Sequence, residues 1–419
     1  MLQKILVKGP ALSRSGYGEQ TRFALRALKS REDLFDIYVI NTPWGSTGQI
    51  VENGEMQQWI HEVMTKTSHY VSQRGQFDLS LQVTIPPEFE KIAPINIGYT
   101  AGIETTKVAP QWIEKSNAVV DKIITVSQHS KTVFENTKYD ATNKQTGEQV
   151  TGWGLQVPVE AVGYPVRLAE AEAVDINLTT SKNFLTISQW GPRKNLDNTI
   201  KWFVQEFADD EDAGLIIKAN TASDSIIDRV QTVNRLEALL STTGDRKCKV
   251  YLIHGELTEG QLGWLYQHPT IQALINIAHG EGYGLPLFEA AYNGLPVITI
   301  TWGGQLDFLC RSNKKGKQVP HVIRVDYDIS PVQKEAVWEG VIQKDSMWAY
   351  AKEASYKRAL REAIEKQKHY RSRAKLLQKT IHQNFSEDVM LEKFVACVHK
   401  EPDEEVVEWL KKIEEMDSL

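Results

Sequence analysis

Residues 279–307 read HGEGYGLPLFEAAYNGLPVITITWGGQLD and follow ALINIA at 273–278, an apolar run of strand length broken by Asn276. Glycines 280, 282 and 284 make a turn, Pro286 sits where a first helical turn tolerates proline, and Gly294 marks a helix stop before a strand at Pro296 to Thr299. The stretch is therefore strand, turn, helix, strand, the unit of a parallel α/β sheet. Glu281 falls on the turn and Glu289 on the helix, with seven residues between them. Both then lie at the carboxyl end of a strand, where open α/β sheets bind ligands. An ionised carboxylate accepts hydrogen bonds from both hydroxyls of a ribose, and N–H groups at a helix start meet phosphate. A glutamate near a helix start also simply favours the helix dipole, worth about 0.3–1 kcal/mol, and the glycines also simply permit the turn.

The same alternation extends outward in both directions. On the amino-terminal side strands are expected at Phe184 to Ser188, Gly214 to Ala219 and Lys249 to His254. An earlier series runs Ile5 to Lys8, Phe35 to Asn41, Leu79 to Val83, Ile95 to Tyr99 and Ile123 to Val126, with a helix at Tyr17 to Ser30. Tyr139 to Gly154 is polar and rich in Gly and Thr, and reads as a surface loop. The acidic, Ala-rich segment near 170–180 suits an exposed connection between two similar halves. The expected division is 1–175 and 176–384, with helices of 385–419 as candidates to complete the first half. From Ser346 onward the pattern is amphipathic helix.

Length and composition agree with this reading. A chain of 419 residues with 41% hydrophobic and 24% charged residues favours two or three globular domains over one small module. No stretch has the ~18 uninterrupted apolar residues of a membrane span, and the amino-terminal run is too short for a signal peptide. Three widely spaced cysteines, Cys248, Cys310 and Cys397, argue against a disulfide framework. These features point to a cytoplasmic protein. A net charge of −6 excludes a molecule that binds nucleic acid by overall charge.

EGYGLPLFEAAYNGLPV, residues 281–297, closely resembles the E-x7-E signature of retaining glycosyltransferases of the family-4 type (glycosyl transferases group 1). The resemblance implies the GT-B fold, two Rossmann-like domains facing each other across a cleft, the first taking the acceptor and the second the nucleotide-sugar donor. It implies transfer of a hexosyl or pentosyl group from a UDP- or GDP-linked donor to an acceptor hydroxyl, with no protein nucleophile, no cofactor and no required metal. Glu289 would then hold the ribose and Glu281 the donor sugar and phosphate, with Gly282, Tyr283, Gly284 and Leu285 around them. SQWGPRKNLDNTI at 188–200 is similar to the family's diphosphate turn, placing Lys194 at the family lysine with Arg193 beside it. TWGGQLDFL resembles the paired-glycine loop near the donor sugar, with Gly303, Gly304 and the acidic Asp307. SRSGYGEQ resembles the family's first glycine loop, which brings Gly16, Tyr17 and Gly18 toward phosphate and acceptor. Many members carry a histidine after the strand that here reads INIGYTAGIET; its nearest ionisable substitute is Glu104.

Other residues carry weaker signals. Lys218 ends a strand and is a candidate phosphate contact, His279 a minor one, and Arg14 a loop cation. Thr258 and Gln261 have the spacing of a capping box. Asp326-Tyr327-Asp328 and Asp210-Glu211-Asp212 match D-x-D, a triplet common by chance; neither is flanked by the motifs above, and the second reads as a solvated loop. Tyr350 to Thr380 carries ten Lys or Arg against three Glu, a face that suits solvent or an anionic partner such as nucleic acid. The acceptor stays open between a glycan, another hydroxyl compound and a modified nucleic acid. A nucleotide-sugar epimerase on the same fold is one alternative, and a non-enzymatic nucleotide-sugar or nucleic-acid binding protein another.

Overall fold

The computed structural model describes residues 2–45, 47–50, 54–142 and 146–399. Two six-stranded parallel sheets organise them. The first contains β1 (Gln3–Gly9), β2 (Phe35–Asn41), β3 (Leu79–Val83), β4 (Ile95–Thr100), β5 (Lys122–Thr125) and β6 (Val159–Ala161), in the order β2-β1-β3-β4-β5-β6. The second contains β7 (Lys182–Gln189), β8 (Ala213–Asn220), β9 (Lys249–Ile253), β10 (Ile271–Asn276), β11 (Val297–Ile300) and β12 (Ile323–Val325), in the order β9-β8-β7-β10-β11-β12.

In the second sheet the chain first builds outward from β7 to β9, then reverses and adds β10 on the other side of β7. That is the nucleotide-binding order 3-2-1-4-5-6, and the reversal leaves a crevice at the carboxyl ends of β7 and β10. The strands are apolar runs because both faces are covered. Phe184, Leu215 and Ile217 face one core cluster, while Leu185 and Ile216 face another. That second cluster is shared by both sheets, running from Ile5 and Val7 through Tyr164 and Tyr283 to Phe288.

The carboxyl-terminal segment differs from the sequence expectation. It opens with a strand, Met347–Ala351, paired antiparallel with Tyr327–Pro331, before helices at Glu353–Glu365, Gln367–Asn384 and Glu387–Val398. Trp348 is fully buried there, and the adjacent strand rather than helical periodicity decides its conformation. The last of these helices packs on the first sheet's side, with Phe394 5.2 Å from Phe23 and 5.0 Å from Tyr99 between ring centroids. Residues 400–419, the acidic tail, lie outside the described residues. The stretch 139–154, expected as a loop, holds most of an antiparallel hairpin, Lys138–Thr142 with Gln149–Gly154. Its residues are mostly exposed, so no apolar alternation betrays it.

The basic stretch 350–380 spans two helices, and much of its charge is locally matched. Lys352 pairs with Asp328, Lys357 with Glu353, Arg358 with Asp326, Arg361 with Glu206 and Lys366 with Glu362. Both D-x-D triplets are likewise engaged by cations, Asp326 and Asp328 as above and Asp210 and Asp212 by Lys182. Among the described residues no helix is long and apolar enough to cross a membrane, and no three His, Cys, Asp or Glu gather as metal ligands.

Candidate functional site

The crevice of the second sheet is built by two turns that bind each other. After β7 the chain makes a short 3₁₀ turn at Pro192–Lys194 and enters helix Leu196–Glu206 through Asn195, whose φ of 53° is left-handed, a region asparagine tolerates. The Asn195 amide donates to Ile277 O at 3.2 Å and the His279 N–H to Arg193 O at 2.8 Å. These two bonds fix the Arg193–Lys194 turn against the glycine turn that follows β10.

Glu281 is the centre of the result. It is 4% exposed, and three donors reach its carboxylate. Lys194 Nζ donates to Oε1 at 2.6 Å, Asn276 Nδ2 to Oε1 at 2.9 Å and Arg193 Nη1 to Oε2 at 3.2 Å. Burial by itself would raise the carboxyl's pKa, but the Lys194 and Arg193 charges prevail and hold it at about 2. Arg193 also donates to Gly280 O at 2.8 Å, and its Nη2 lies 3.2 Å from Glu104 Oε1 in the first half. Burial disfavours the guanidinium's charge, and the Glu104 and Glu281 carboxylates more than restore it. The sequence reading named Glu281, Lys194, Arg193 and Glu104 separately as candidates, and the structure brings the four side chains together. Asn276 was missed; its signal was a lone amide at the end of an apolar strand.

The two halves meet closely around this cluster, and glycine makes the approach possible. A Cβ on Gly280 would stand 2.0 Å from Glu104 O, and one on Gly304 would stand 1.8 Å from Gly282 O and 2.7 Å from Ser127 Oγ. Gly282 lies against Ala101 O, and Gly303 and Gly284 adopt φ of 114° and 92° at the loop and at the start of helix Leu285–Tyr292. Besides Glu104–Arg193, other polar contacts join the two halves, among them Lys107 with Asp345 at 2.6 Å and two nearer the crevice. Arg14 Nε lies 2.8 Å from Glu256 Oε1, and Asp307 Oδ2 accepts from the Gln128 N–H at 2.8 Å. Burial raises the Asp307 pKa to about 6 despite that bond.

Glu289 is placed elsewhere. It accepts from Tyr266 Oη at 2.7 Å and lines a pocket with Glu19, Arg167, Glu259, Leu262 and Leu285. Arg193, Lys194 and Glu281 are not among the described residues of that lining. Burial pushes the Glu289 pKa up to about 7; the Tyr266 hydroxyl opposes the shift, and the Glu19 and Glu259 charges add to it. Arg167 is shared between Glu19 at 2.9 Å and Glu259 at 2.7 Å. Tyr266 sits on a helix, Glu259–Gln267, whose capping box of Thr258 and Gln261 forms as its spacing predicts.

Several candidates have structural employment. Tyr283 is a core ring packed on Tyr164, Phe288 and Phe308. His279 is 4% exposed, stacks on Trp348 and bonds Ala349 O through Nδ1, so it anchors the Met347–Ala351 strand; the aromatic partners lie some seventy residues downstream and were invisible locally. His254 bonds Asp228 at 2.8 Å, and Asp228 also accepts from three N–H groups of the 221–223 loop. Lys218 faces Asp224 at 4.0 Å. At the first glycine loop, Ser15 caps helix Gly16–Lys29 by accepting from the Gly18 N–H, and a Cβ on Gly18 would stand 1.9 Å from Ser13 O. Tyr17 reaches Thr100 Oγ1 at 2.8 Å and accepts from the Ala101 N–H at 3.2 Å, which orders the loop leading to Glu104.

No protein-family model and no curated protein matches the chain. Solved structures do. Sucrose-phosphate synthase from Thermosynechococcus elongatus aligns at a TM-score of 0.60 and 12% identity, over 93% of this chain and 97% of that one. Anabaena Alr3699/HepE in complex with UDP-glucose aligns at 0.56 and 12%, over 94% and 98%. The lipopolysaccharide outer core galactosyltransferase WaaB aligns at 0.50 and 10%, also over 94% and 98%. With S. aureus TarM the TM-score is 0.47, and the chain spans 55% of that protein's length. At such identities the likeness is one of architecture, and this chain has the GT-B fold, two Rossmann-like units facing each other across a cleft.

Proposed function

We propose that the protein is a retaining glycosyltransferase that moves a sugar from a UDP- or GDP-linked donor to an acceptor hydroxyl, of a glycan or another hydroxyl compound, without a metal and in the cytoplasm. One observation carries this reading: a buried, ionised Glu281 holds two cations at the switch-point crevice of a GT-B fold. A nucleoside diphosphate needs fixed positive charge, and Lys194 and Arg193 supply it from adjacent positions of one turn. As the glycosidic bond breaks, negative charge grows on the diphosphate, and these donors would stabilise it in a site with little water. Glu281 has its oxygens occupied by three donors and a pKa of about 2. That makes it an acceptor and an orienting group for Lys194, and neither a general acid nor a free nucleophile. The acceptor hydroxyl would then attack from the face the leaving group vacates, its proton passing to a phosphate oxygen. Glu289, in its separate pocket, suits the ribose diol once ionised. The structure of HepE, which has the same architecture, contains UDP-glucose. Three free cysteines fit a reducing compartment.

The test is to incubate the protein with UDP- and GDP-sugars and follow free nucleoside diphosphate together with the anomeric configuration of the released or transferred sugar. The proposal expects nucleoside diphosphate release with the donor's anomeric configuration kept. Conversion of the donor to its epimer, with no nucleotide released, would point to an epimerase instead.

A further inference from the structure

Arg193 is held between two carboxylates that are themselves held very differently. Glu281 has Lys194 and Asn276 as well as Arg193, and its side chain is 5% exposed. Glu104 has a side chain 27% exposed, and among the described residues Arg193 is its one ion-pair partner. The backbone that carries Glu104 is meanwhile fixed on both sides. Its carbonyl lies against Gly280, and two residues on, Thr106 exchanges bonds with Met347, N–H to O at 3.0 Å and Oγ1 from N–H at 2.9 Å. Glu104 is thus a carboxylate delivered by the first half to the cation that the second half offers to a phosphate.

A pyrophosphate group and a carboxylate compete for the same guanidinium N–H groups. A ligand phosphate entering the crevice would displace the more weakly held carboxylate, because Glu281 keeps two other donors and Glu104 keeps none. From this we infer that Glu104 is a positioning residue which occupies Arg193 Nη2 in the donor-free enzyme and is exchanged for the donor's diphosphate. This rests on the donor reading given above and adds to it. Binding of the donor breaks one polar contact between the halves and leaves others in place, among them Arg14–Glu256, Asp307–Gln128 and Thr106–Met347. It also frees a carboxylate on the acceptor side only when the donor is present.

The experiment is calorimetric titration of inorganic pyrophosphate, UDP and GDP into wild type, Glu104→Gln, Glu104→Asp and Arg193→Ala, alone and with Glu104→Gln. Removing the competitor should tighten pyrophosphate binding by about two- to five-fold in Glu104→Gln, and the gain should shrink in high salt and vanish in the Arg193→Ala background. A merely structural role predicts the opposite sign, weaker binding alongside a lower melting temperature. Glu104→Asp, which keeps the charge, should stay near wild type. Unchanged or weaker pyrophosphate binding in a Glu104→Gln protein that melts as wild type does would overturn the exchange while leaving the donor reading intact. Tighter pyrophosphate binding with no affinity for UDP or GDP in any variant would support the exchange and count against the donor reading. Absence of binding by all three probes to wild type would overturn both.

Discussion

The turn end and the helix end of the 279–307 segment carry the same side chain in opposite electrical states. Glu281 sits among two cations and an amide and is held ionised with a pKa of about 2. Glu289, on the helix that follows, has a tyrosine hydroxyl as its hydrogen-bond partner and two further carboxylates nearby, and its pKa rises to about 7. Burial pushes both upward, so what separates them is the charge each one faces. A sequence signature that pairs two glutamates therefore describes two kinds of chemistry. In the proposed function the first carboxylate organises the cations that would meet a diphosphate, and the second would accept a ligand's hydroxyls once ionised.

The largest effect should come from breaking the turn end. Lys194→Ala should lower kcat/KM for sugar transfer by about 10²–10³, the loss typical of removing one preorganised donor to developing negative charge. Steady-state kinetics with the donor found active checks it. Glu281→Gln leaves Lys194 buried without its counter-charge and should cost about 3 kcal/mol of stability, read from the shift in urea midpoint. The helix end should respond less, since Glu289→Gln removes no buried ion pair and should leave stability nearly unchanged at pH 4, where the Glu289 carboxyl is protonated in the folded chain.

Acid and base sharpen the same contrast. The pKa of Glu281 is depressed from 4.5 to about 2, so its stabilisation is fully present above about pH 4.5 and is lost as pH falls toward 2. The pKa of Glu289 is raised from 4.5 to about 7, so the unfolded chain releases its proton first, and stability falls as pH rises from about 4.5 to 7. Melting temperature measured across pH 4.5–8 should show that decline, on the order of 1–3 kcal/mol, and Glu289→Gln should lessen it, Asp307 with its raised pKa of about 6 accounting for part of what remains. Nucleotide affinity should move the other way through pH 7, strengthening as Glu289 ionises to accept a ribose. The smallest effect is expected at the rim, where Asp307→Ala removes one hydrogen bond across the cleft. That should cost about 0.5–1.5 kcal/mol and little affinity, as seen by urea unfolding and titration.

How much of this was legible beforehand depends on the range of the signal. The strands were readable because parallel strands covered on both faces are continuous apolar runs; Phe35–Asn41 and Leu79–Val83 match residue for residue. The neighbourhood of Glu281, Lys194 and Arg193 was legible because both turns leave the carboxyl ends of adjacent strands, and topology alone brings them together. The packing of His279 and Tyr283 was unreadable because their partners, Trp348, Tyr350, Tyr164 and Phe308, come from distant segments. The opposed states of Glu281 and Glu289 were also unreadable, since Glu19, Glu259 and Tyr266 lie well upstream and only the fold gathers them. The glycines were half-read: their turn geometry was expected, whereas the contact of Gly280 with Glu104 depends on the other half of the molecule.

A thermal-shift titration with UDP, GDP, ADP and their common sugar conjugates, with and without EDTA, reads whether the Arg193–Lys194 turn binds a nucleoside diphosphate. A ligand at about a hundred times its dissociation constant stabilises by about 2.7 kcal/mol, enough to move a melting transition visibly. The expected result is a shift with one nucleotide family, indifferent to EDTA and abolished in Lys194→Ala. A wild-type protein whose melting none of these ligands moves, or one shifted equally in Lys194→Ala, would contradict it.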